Sequence, residues 1–214
     1  TRCLRSVDGV ELWRRGGAQP ETSQKGQYKR TVAADGVCIV WRSDDTAWLL
    51  RAGAILVQIA SAGVRAIEAD ARHIMVATDR TVTVFDRGGA KRFETPASIG
   101  ISAVASIDGN VAIGYFDGSV VVRDRRGKRL TSRLQSLPSS PVTRIRAGPR
   151  RTLVAGFGNG TIGIWTLDGI LLAMEQLHGP IHHIVLSQRQ LYAATALGQF
   201  LRWDLTVFHR ERCE

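Results

Sequence analysis

One short phrase recurs along this chain of 214 residues. The phrase NVAIGYFDGSVVVRDRRGKRL at 110–130 is matched at 73–93, 152–172 and 190–208, and weaker copies occupy 37–56 and 5–18. The position near the end of its second apolar run recurs at spacings of 37, 35, 38, 42 and 38 residues, as Trp13, Leu50, Phe85, Arg123, Trp165 and Trp203. Repeats of this period are typical of folds in which one supersecondary unit is stacked side by side.

Each repeat has the residue pattern of four antiparallel strands. Apolar and polar residues alternate in runs such as VTRIRAG, VAIGY and VVVRD, and Asp-Gly or Asn-Gly turns separate them. Such alternation predicts half-buried strands, and such turns favour hairpins. The period leaves no room for a crossover helix. The sequence therefore predicts one all-β domain over residues 1–214, with units of approximately 1–26, 27–62, 63–100, 101–140, 141–179 and 180–214.

The ends of the second runs carry a family resemblance. Trp203-Asp204 is a complete Trp-Asp dipeptide, Phe85-Asp86 and Arg123-Asp124 keep its Asp, and Trp165-Thr166 keeps its Trp. The repeats resemble those of the WD40 family, although that family's Gly-His dipeptide is missing. The resemblance implies a β-propeller of four-stranded antiparallel blades, with six units recognisable. It also implies that the aromatic side chains pack between blades, namely those of Trp13, Phe85, Trp165 and Trp203.

The first repeat is predicted to be incomplete. Too little sequence precedes Cys3 to form an innermost strand, so we expect the chain to be part of a longer protein or to receive that strand from elsewhere. The last repeat has all four strands if FHRERCE at 208–214 forms the outermost one.

Three cysteines, Cys3, Cys38 and Cys213, are far apart and form no Cys-x-x-Cys pair. This pattern argues against structural zinc and against a dense disulfide framework. Propeller closure would bring the chain ends together, so a Cys3–Cys213 disulfide is a minor alternative. No apolar stretch of the signal-peptide kind stands at the start of the sequence, and the most apolar window, 47–64, carries Arg51 and Gln58. We expect an intracellular protein, with cytoplasm, nucleus and organelle left open.

No pattern in the sequence predicts an enzyme, a cofactor or a metal site. Gly158, Gly160 and Gly163 match the dinucleotide-binding spacing, but a strand follows them where phosphate binding needs a helix N-terminus. The histidines at positions 178, 182 and 183 have no carboxylate or thiolate at zinc spacing. We expect them to be structural, with one of the last two facing the core.

Basic residues follow the third strand of the first four repeats. The chain carries a net charge of +10, and only four of its 29 basic residues are lysines. Coding bias is one explanation, and an anionic partner is the other, because guanidinium groups match phosphates. Equivalent propeller turns emerge on one face. We therefore predict a polyanion-binding surface, hereafter the basic turns, formed by Arg14, Arg15, Arg51, Arg87, Lys91, Arg92, Arg125, Arg126, Lys128 and Arg129.

These features predict a non-enzymatic scaffold in a multi-subunit assembly. We expect its partners to be other protein subunits and RNA or another polyanion, as in a ribonucleoprotein. The alternative is a protein-only adaptor, for example a substrate receptor or signalling scaffold, whose basic charge is incidental. The salt dependence of partner binding distinguishes the two functions.

Overall fold

The protein is described by a computed structural model. It describes residues 2–5, 9–13, 20–25, 28–34, 37–42, 46–51, 54–60, 63–97, 99–124, 126–130, 134, 137–187 and 189–206. Before residue 63, side chains are described only at 38–41, 46–50 and 57–59. The chain divides into two compact units, an N-terminal unit, Thr1–Ser98, and a C-terminal unit, Ile99–Glu214.

The N-terminal unit contains three antiparallel sheets, each made of strands consecutive in sequence. The first sheet comprises β1 (Arg2–Arg5), β2 (Gly9–Trp13) and β3 (Pro20–Lys25). The second comprises β4 (Tyr28–Ala34), β5 (Val37–Arg42), β6 (Ala47–Arg51) and β7 (Ala54–Ala60). The third comprises β8 (Val64–Ala69), β9 (His73–Thr78), β10 (Thr81–Asp86) and β11 (Lys91–Pro96).

The C-terminal unit also contains three such sheets. The fourth comprises β12 (Ile101–Ile107), β13 (Asn110–Tyr115) and β14 (Val120–Arg123). The fifth comprises β15 (Val142–Gly148), β16 (Thr152–Phe157), β17 (Thr161–Thr166) and β18 (Leu171–Gln176). The sixth comprises β19 (Ile181–Leu186), β20 (Gln190–Thr195) and β21 (Phe200–Asp204). In the described part of the chain there is no α-helix, and thus no helix that could cross a membrane.

The six sheets correspond to the six predicted repeats. In the second to sixth sheets the recurrent aromatic position lies in the third strand, whereas Trp13 ends the second strand of the first sheet. Among the described residues, the first sheet therefore lacks the innermost strand, as predicted. The proposed outermost strand at 208–214 lies outside the described residues. In the fourth sheet, Leu130 N donates to Val122 O, and Arg129 forms an isolated antiparallel bridge with Arg123.

In the fourth and fifth sheets, glycine is required in the turn between the second and third strands. Gly160 has φ +91°, and its N–H donates to Phe157 O. A Cβ there would lie 2.1 Å from Leu177 O, which belongs to the segment entering the next sheet. Gly118 has φ +87°, and a Cβ there would lie 2.1 Å from Pro138 O. The Asn-Gly and Asp-Gly pairs in the sequence indicated the hairpin, whereas the close approach of the neighbouring segment is seen only in the structure.

Apolar side chains fill the spaces between sheets. Trp165 is fully buried, and its ring meets that of Phe157 edge to face at 6.2 Å between the fourth and fifth sheets. Phe85 is buried between the second and third sheets. Trp203 is half-buried against the fifth sheet, and its Nε1 donates to Glu175 Oε2 at 2.9 Å. The predicted packing therefore holds for these three residues, while the side chain of Trp13 lies outside those described.

A β-bulge recurs at the start of the innermost strand. The pairing register shifts in the same place in β4, β8, β12, β15 and β19. In the sixth sheet the shift falls between Ile181 and His183, and both His182 and His183 are exposed. The expectation that one of these histidines faces the core is therefore wrong, because the bulge inserts a residue into the alternation.

Cys38 is fully buried in β5 and disulfide-bonded. No pattern in the sequence indicated this bond. The other two cysteines of the chain are Cys3 and Cys213, and a disulfide at Cys38 within the chain uses one of them, so the alternative of a Cys3–Cys213 bond is wrong.

Candidate polyanion-binding surface

The structure describes seven of the ten residues predicted to form the basic turns. Arg14, Arg15 and Arg125 lie outside the described residues. Arg51 ends β6, but its side chain is not described. The remaining six lie in or beside two turns: Arg87 follows β10, Lys91 and Arg92 begin β11, and Arg126, Lys128 and Arg129 follow β14.

The turn after β10 is closed by Asp86. Its Oδ1 accepts hydrogen bonds from the N–H groups of Gly88 and Ala90, both at 2.9 Å. Gly89, at φ +86°, donates its N–H to Asp86 O. The N–H of Ala90 is the main reason that the pKa of Asp86 lies below its ordinary value, and Gly88 and Arg92 act in the same direction. The backbone of this turn is therefore fixed by an ionised carboxylate.

The cations of the same turn have partners within it or close to it. Lys91 Nζ lies 2.9 Å from Glu94 Oε2, and Arg92 Nη2 lies 2.9 Å from Asp86 Oδ2. Arg87 Nη1 donates to Ala71 O at 3.0 Å. The bond from Lys91 also lowers the pKa of Glu94. The positive charges of Lys91 and Arg92 are thus compensated by carboxylates at the surface.

The turn after β14 has the same backbone and more uncompensated charge. Asp124 Oδ1 accepts from Arg126 N and Lys128 N, both at 2.8 Å, and Gly127 N donates to Asp124 O. The side chains of Arg126, Lys128 and Arg129 are exposed. No carboxylate forms an ion pair with Arg126 or Lys128 within the residues that the structure describes. The acid of this turn is instead engaged by backbone N–H groups.

Further arginines, missed by sequence reasoning, lie beside these turns. In the fifth sheet, Leu167 N in the turn after the third strand donates to Arg151 O in the turn between the first two strands. Leu205 N and Arg189 O make the equivalent bond in the sixth sheet, at 2.7 Å. In these two sheets, the two kinds of turn therefore lie at the same end of the strands. The exposed Arg150, Arg151 and Arg189 add positive charge to that end.

Arg150 and Arg151 follow Pro149 and have φ of +52° and +61°. The left-handed backbone is uncommon for residues other than glycine. The Arg151 guanidinium lies 3.9 Å from Asp108 Oδ2 in the fourth sheet's equivalent turn. A search for basic residues in both kinds of turn, rather than only in the turn after the third strand, would have found these positions.

The predicted residues are divided between the two compact units. Arg51, Arg87, Lys91 and Arg92 belong to the N-terminal unit, and Arg126, Lys128 and Arg129 belong to the C-terminal unit. One continuous basic face across four repeats therefore stays a prediction. No group of three histidines, cysteines or carboxylates suited to a metal ion occurs in the described ranges.

No protein-family model and no curated protein matches this chain. Several solved structures are similar to it. The computationally designed Ika8 protein matches with a TM-score of 0.78 and 18% identity, over 95% of this chain and 70% of that chain. BBS1N, solved in complex with ARL6DN, matches with a TM-score of 0.71 and 12% identity, over 95% of this chain and 74% of that chain. The Pan2 WD40 domain of Neurospora crassa matches with a TM-score of 0.68 and 11% identity, over 86% of this chain and 64% of that chain.

These similarities establish the fold. The chain is an all-β protein with the β-propeller fold and six recognisable units, of which the first is incomplete, as predicted. A WD40 domain is among the similar structures. Membership of the WD40 family itself rests on the degenerate Trp-Asp positions and stays a prediction.

Proposed function

We propose that this chain is a non-enzymatic interaction scaffold in a multi-subunit assembly, and that its basic turns contact RNA or another polyanion. The turn after β14 carries the proposal. Asp124 fixes its backbone, and Arg126, Lys128 and Arg129 are exposed on it. Because the backbone of the turn is already fixed, binding a phosphate there orders only the side chains and not the turn itself.

The chemistry of these side chains suits a phosphate partner. Guanidinium groups bind phosphate oxygens through two parallel hydrogen bonds. Arg151 and Arg189 lie on the same side of their sheets as the turns after the third strands, which extends the surface beyond one turn. Contacts to phosphates carry no base information, so we expect little sequence preference.

A protein-only adaptor is the second candidate. The ion pairs Lys91–Glu94 and Arg92–Asp86 support it, because they compensate the charge of the turn after β10 at the surface. In that case the high arginine content is a result of coding bias and has no binding function. The chain would bind protein partners through other surfaces, with weak dependence on salt.

A salt titration of RNA binding tests the proposal. The full chain is mixed with a labelled single-stranded RNA of mixed sequence, and the affinity is measured at increasing NaCl concentrations. Neutralising ~4–6 phosphates gives a log–log slope of about −3 to −4. The double variant Arg126→Glu, Lys128→Glu is expected to weaken binding and to flatten the slope.

The matched control is Lys91→Glu, Arg92→Glu, which makes the same change of charge in the turn where both cations are already paired. We expect it to have the smaller effect. Equal losses of RNA affinity in both variants would show that binding depends only on the net charge of the chain. Absence of salt-dependent binding by the unmodified chain would reject polyanion contact and leave the adaptor function.

A further inference from the structure

The turn between the first two strands of the fifth sheet has an unusual sequence for its backbone. It runs from Pro149 to Thr152, and Thr152 N donates to Pro149 O. Both central residues, Arg150 and Arg151, have positive φ, at +52° and +61°. Hairpin turns with two such residues favour Asn-Gly, Asp-Gly or Gly-Gly, because most side chains are poorly tolerated in this conformation. Two successive arginines therefore stand where the backbone favours glycine.

The fourth sheet has the ordinary sequence in the same turn. There Asp108 and Gly109 join β12 to β13, with φ of +50° and +77°. In each sheet these two residues directly precede the second strand. The two turns are neighbours, since the Arg151 guanidinium lies 3.9 Å from Asp108 Oδ2. The fold thus accepts an Asp-Gly pair at this position and does not require Arg150 and Arg151.

The contacts of the turn do not account for the two arginines either. Thr152 Oγ1 donates to Pro149 O at 2.8 Å, and Leu167 N donates to Arg151 O at 3.2 Å, so neither bond uses an arginine side chain. The ion pair of Arg151 with Asp108 joins two largely exposed groups, and pairs of this kind contribute little to stability. Strained backbone that does not serve the fold is typical of functional sites.

The turn lies between two other groups of exposed cations. The fifth sheet packs against the fourth on one face and against the sixth on the other. The exposed cations at this end of the strands in the three sheets are Arg126, Lys128, Arg129, Arg150, Arg151 and Arg189. The acids at the same end, among the described residues, are Asp108, Asp124, Asp168 and Asp204. Asp124 and Asp204 accept hydrogen bonds from backbone N–H groups of their own turns.

We infer that Arg150 and Arg151 are the central phosphate contacts of the polyanion, and that the strain of their backbone is retained in order to present them. The inference rests on the proposed function and adds the position of the contact. Guanidinium groups bind phosphate oxygens through two parallel hydrogen bonds. Binding sites commonly keep residues that lower the stability of the fold.

The test replaces the two arginines by the pair of residues that suits the backbone. Arg150→Asn, Arg151→Gly should raise the thermal unfolding midpoint of the full chain by at least about 2 °C, because the strain is relieved. In the salt titration with single-stranded RNA, the same variant should raise the Kd at least about tenfold at about 150 mM NaCl. Its log–log slope should be flatter by about 1.4, since two phosphate contacts of about 0.7 each are lost.

Arg150→Lys, Arg151→Lys is the matched control, because it keeps both the positive charge and the left-handed side chains. We expect it to leave the unfolding midpoint unchanged and the slope steep. Lys91→Glu, Arg92→Glu makes a larger change of net charge and is expected to weaken RNA binding less. Arg150→Gln, Arg151→Gln removes the charge and keeps the left-handed side chains, so it decides the affinity measurement if the Asn-Gly variant does not fold.

The outcomes distinguish this inference from the proposed function. The inference alone is wrong if the Asn-Gly variant binds RNA as tightly as the unmodified chain, while Arg126→Glu, Lys128→Glu weakens binding. Both are wrong if the unmodified chain shows no salt-dependent binding of RNA. A lower unfolding midpoint in the Asn-Gly variant would show that the turn is not strained, and it also overturns the inference.

Discussion

At the scale of single residues, the stability of this protein depends on where the repeat places its aromatic side chains. Trp165 lies in the third strand of the fifth sheet and is completely excluded from solvent. Trp203 occupies the same repeat position in the sixth sheet but is only half-buried. The same residue type at equivalent positions therefore contributes different amounts to the free energy of unfolding.

Trp165→Ala is expected to reduce the free energy of unfolding by about 3–5 kcal/mol, because it leaves a cavity against Phe157 between two sheets. Trp203→Ala is expected to cost less, about 1–3 kcal/mol, because part of that ring is already in water. Chemical denaturation of both variants measures the difference. A smaller loss for Trp165→Ala than for Trp203→Ala would contradict the assignment of the core.

Two glycines provide a second comparison. Gly160 and Gly198 both have positive φ, at +91° and +80°. A Cβ on Gly160 would meet Leu177 O at 2.1 Å, whereas a Cβ on Gly198 would meet no atom within 4 Å. Gly198→Ala should cost about 1 kcal/mol from backbone strain alone. Gly160→Ala should cost at least about 2 kcal/mol, because the carbonyl must also move. Thermal unfolding of the pair separates strain from collision, and equal costs would show that Leu177 yields freely.

At the scale of structural elements, the turn after the third strand is the most regular feature of the fold. An acceptor at its first position bonds a backbone N–H four residues later: Asp86 to Ala90, Asp124 to Lys128 and Thr166 Oγ1 to Ile170. Two of these acceptors are carboxylates and one is a hydroxyl. Only the carboxylates titrate.

Acid should therefore loosen the turn after β10, which Asp86 closes, and leave the turn after β17 unchanged. The pKa of Asp86 is depressed in the folded protein, so its stabilising effect is present above the ordinary Asp pKa of about 3.9 and is lost as the pH falls through the lower folded value. Hydrogen-exchange protection of the Ala90 amide, measured by NMR, should fall in that range, and that of Ile170 should not. Parallel behaviour of the two amides would mean that acid acts on the sheets as a whole.

Sequence reasoning predicted the strands and hairpins because they follow from local alternation and turn residues. It failed where a single inserted residue changes the alternation, as at the bulge before His183. It also overestimated the free charge after β10. The partner of Lys91 is Glu94, three residues away on a strand, and which face each side chain takes depends on the register shift between Val84 and Phe85.

At the scale of the whole molecule, two properties are not confined to one repeat: the net charge and the disulfide at Cys38. The disulfide at Cys38 joins positions distant in sequence, which no periodic pattern indicates. Disulfides are typical of oxidising compartments, so this bond weakens the expectation of an intracellular location. The net charge of +10, in contrast, is known from composition and affects the stability of the entire chain.

Raising the NaCl concentration from about 20 mM to about 500 mM should raise the thermal unfolding midpoint at pH 7, because salt screens the repulsion among excess positive charges. Differential scanning calorimetry measures the shift. The variant Arg126→Glu, Lys128→Glu lowers the net charge and should show a smaller shift. A midpoint that is independent of salt would indicate that local ion pairs, such as Arg92–Asp86, already balance the repulsion.

The Asp- and Thr-closed turns have a consequence for how this protein can change over generations. The backbone of each is set by its first residue and by a glycine three positions later, at Gly89, Gly127 and Gly169. The second of the two residues between them, which is Gly88, Arg126 or Asp168, is exposed and contributes no side chain to that closure, whereas Leu167 is buried in the core. Mutation can therefore exchange the exposed residue among basic, acidic and apolar types at little cost to folding. Each sheet can acquire a new binding preference independently of its neighbours, so a single ancestral repeat can diversify into several different surfaces.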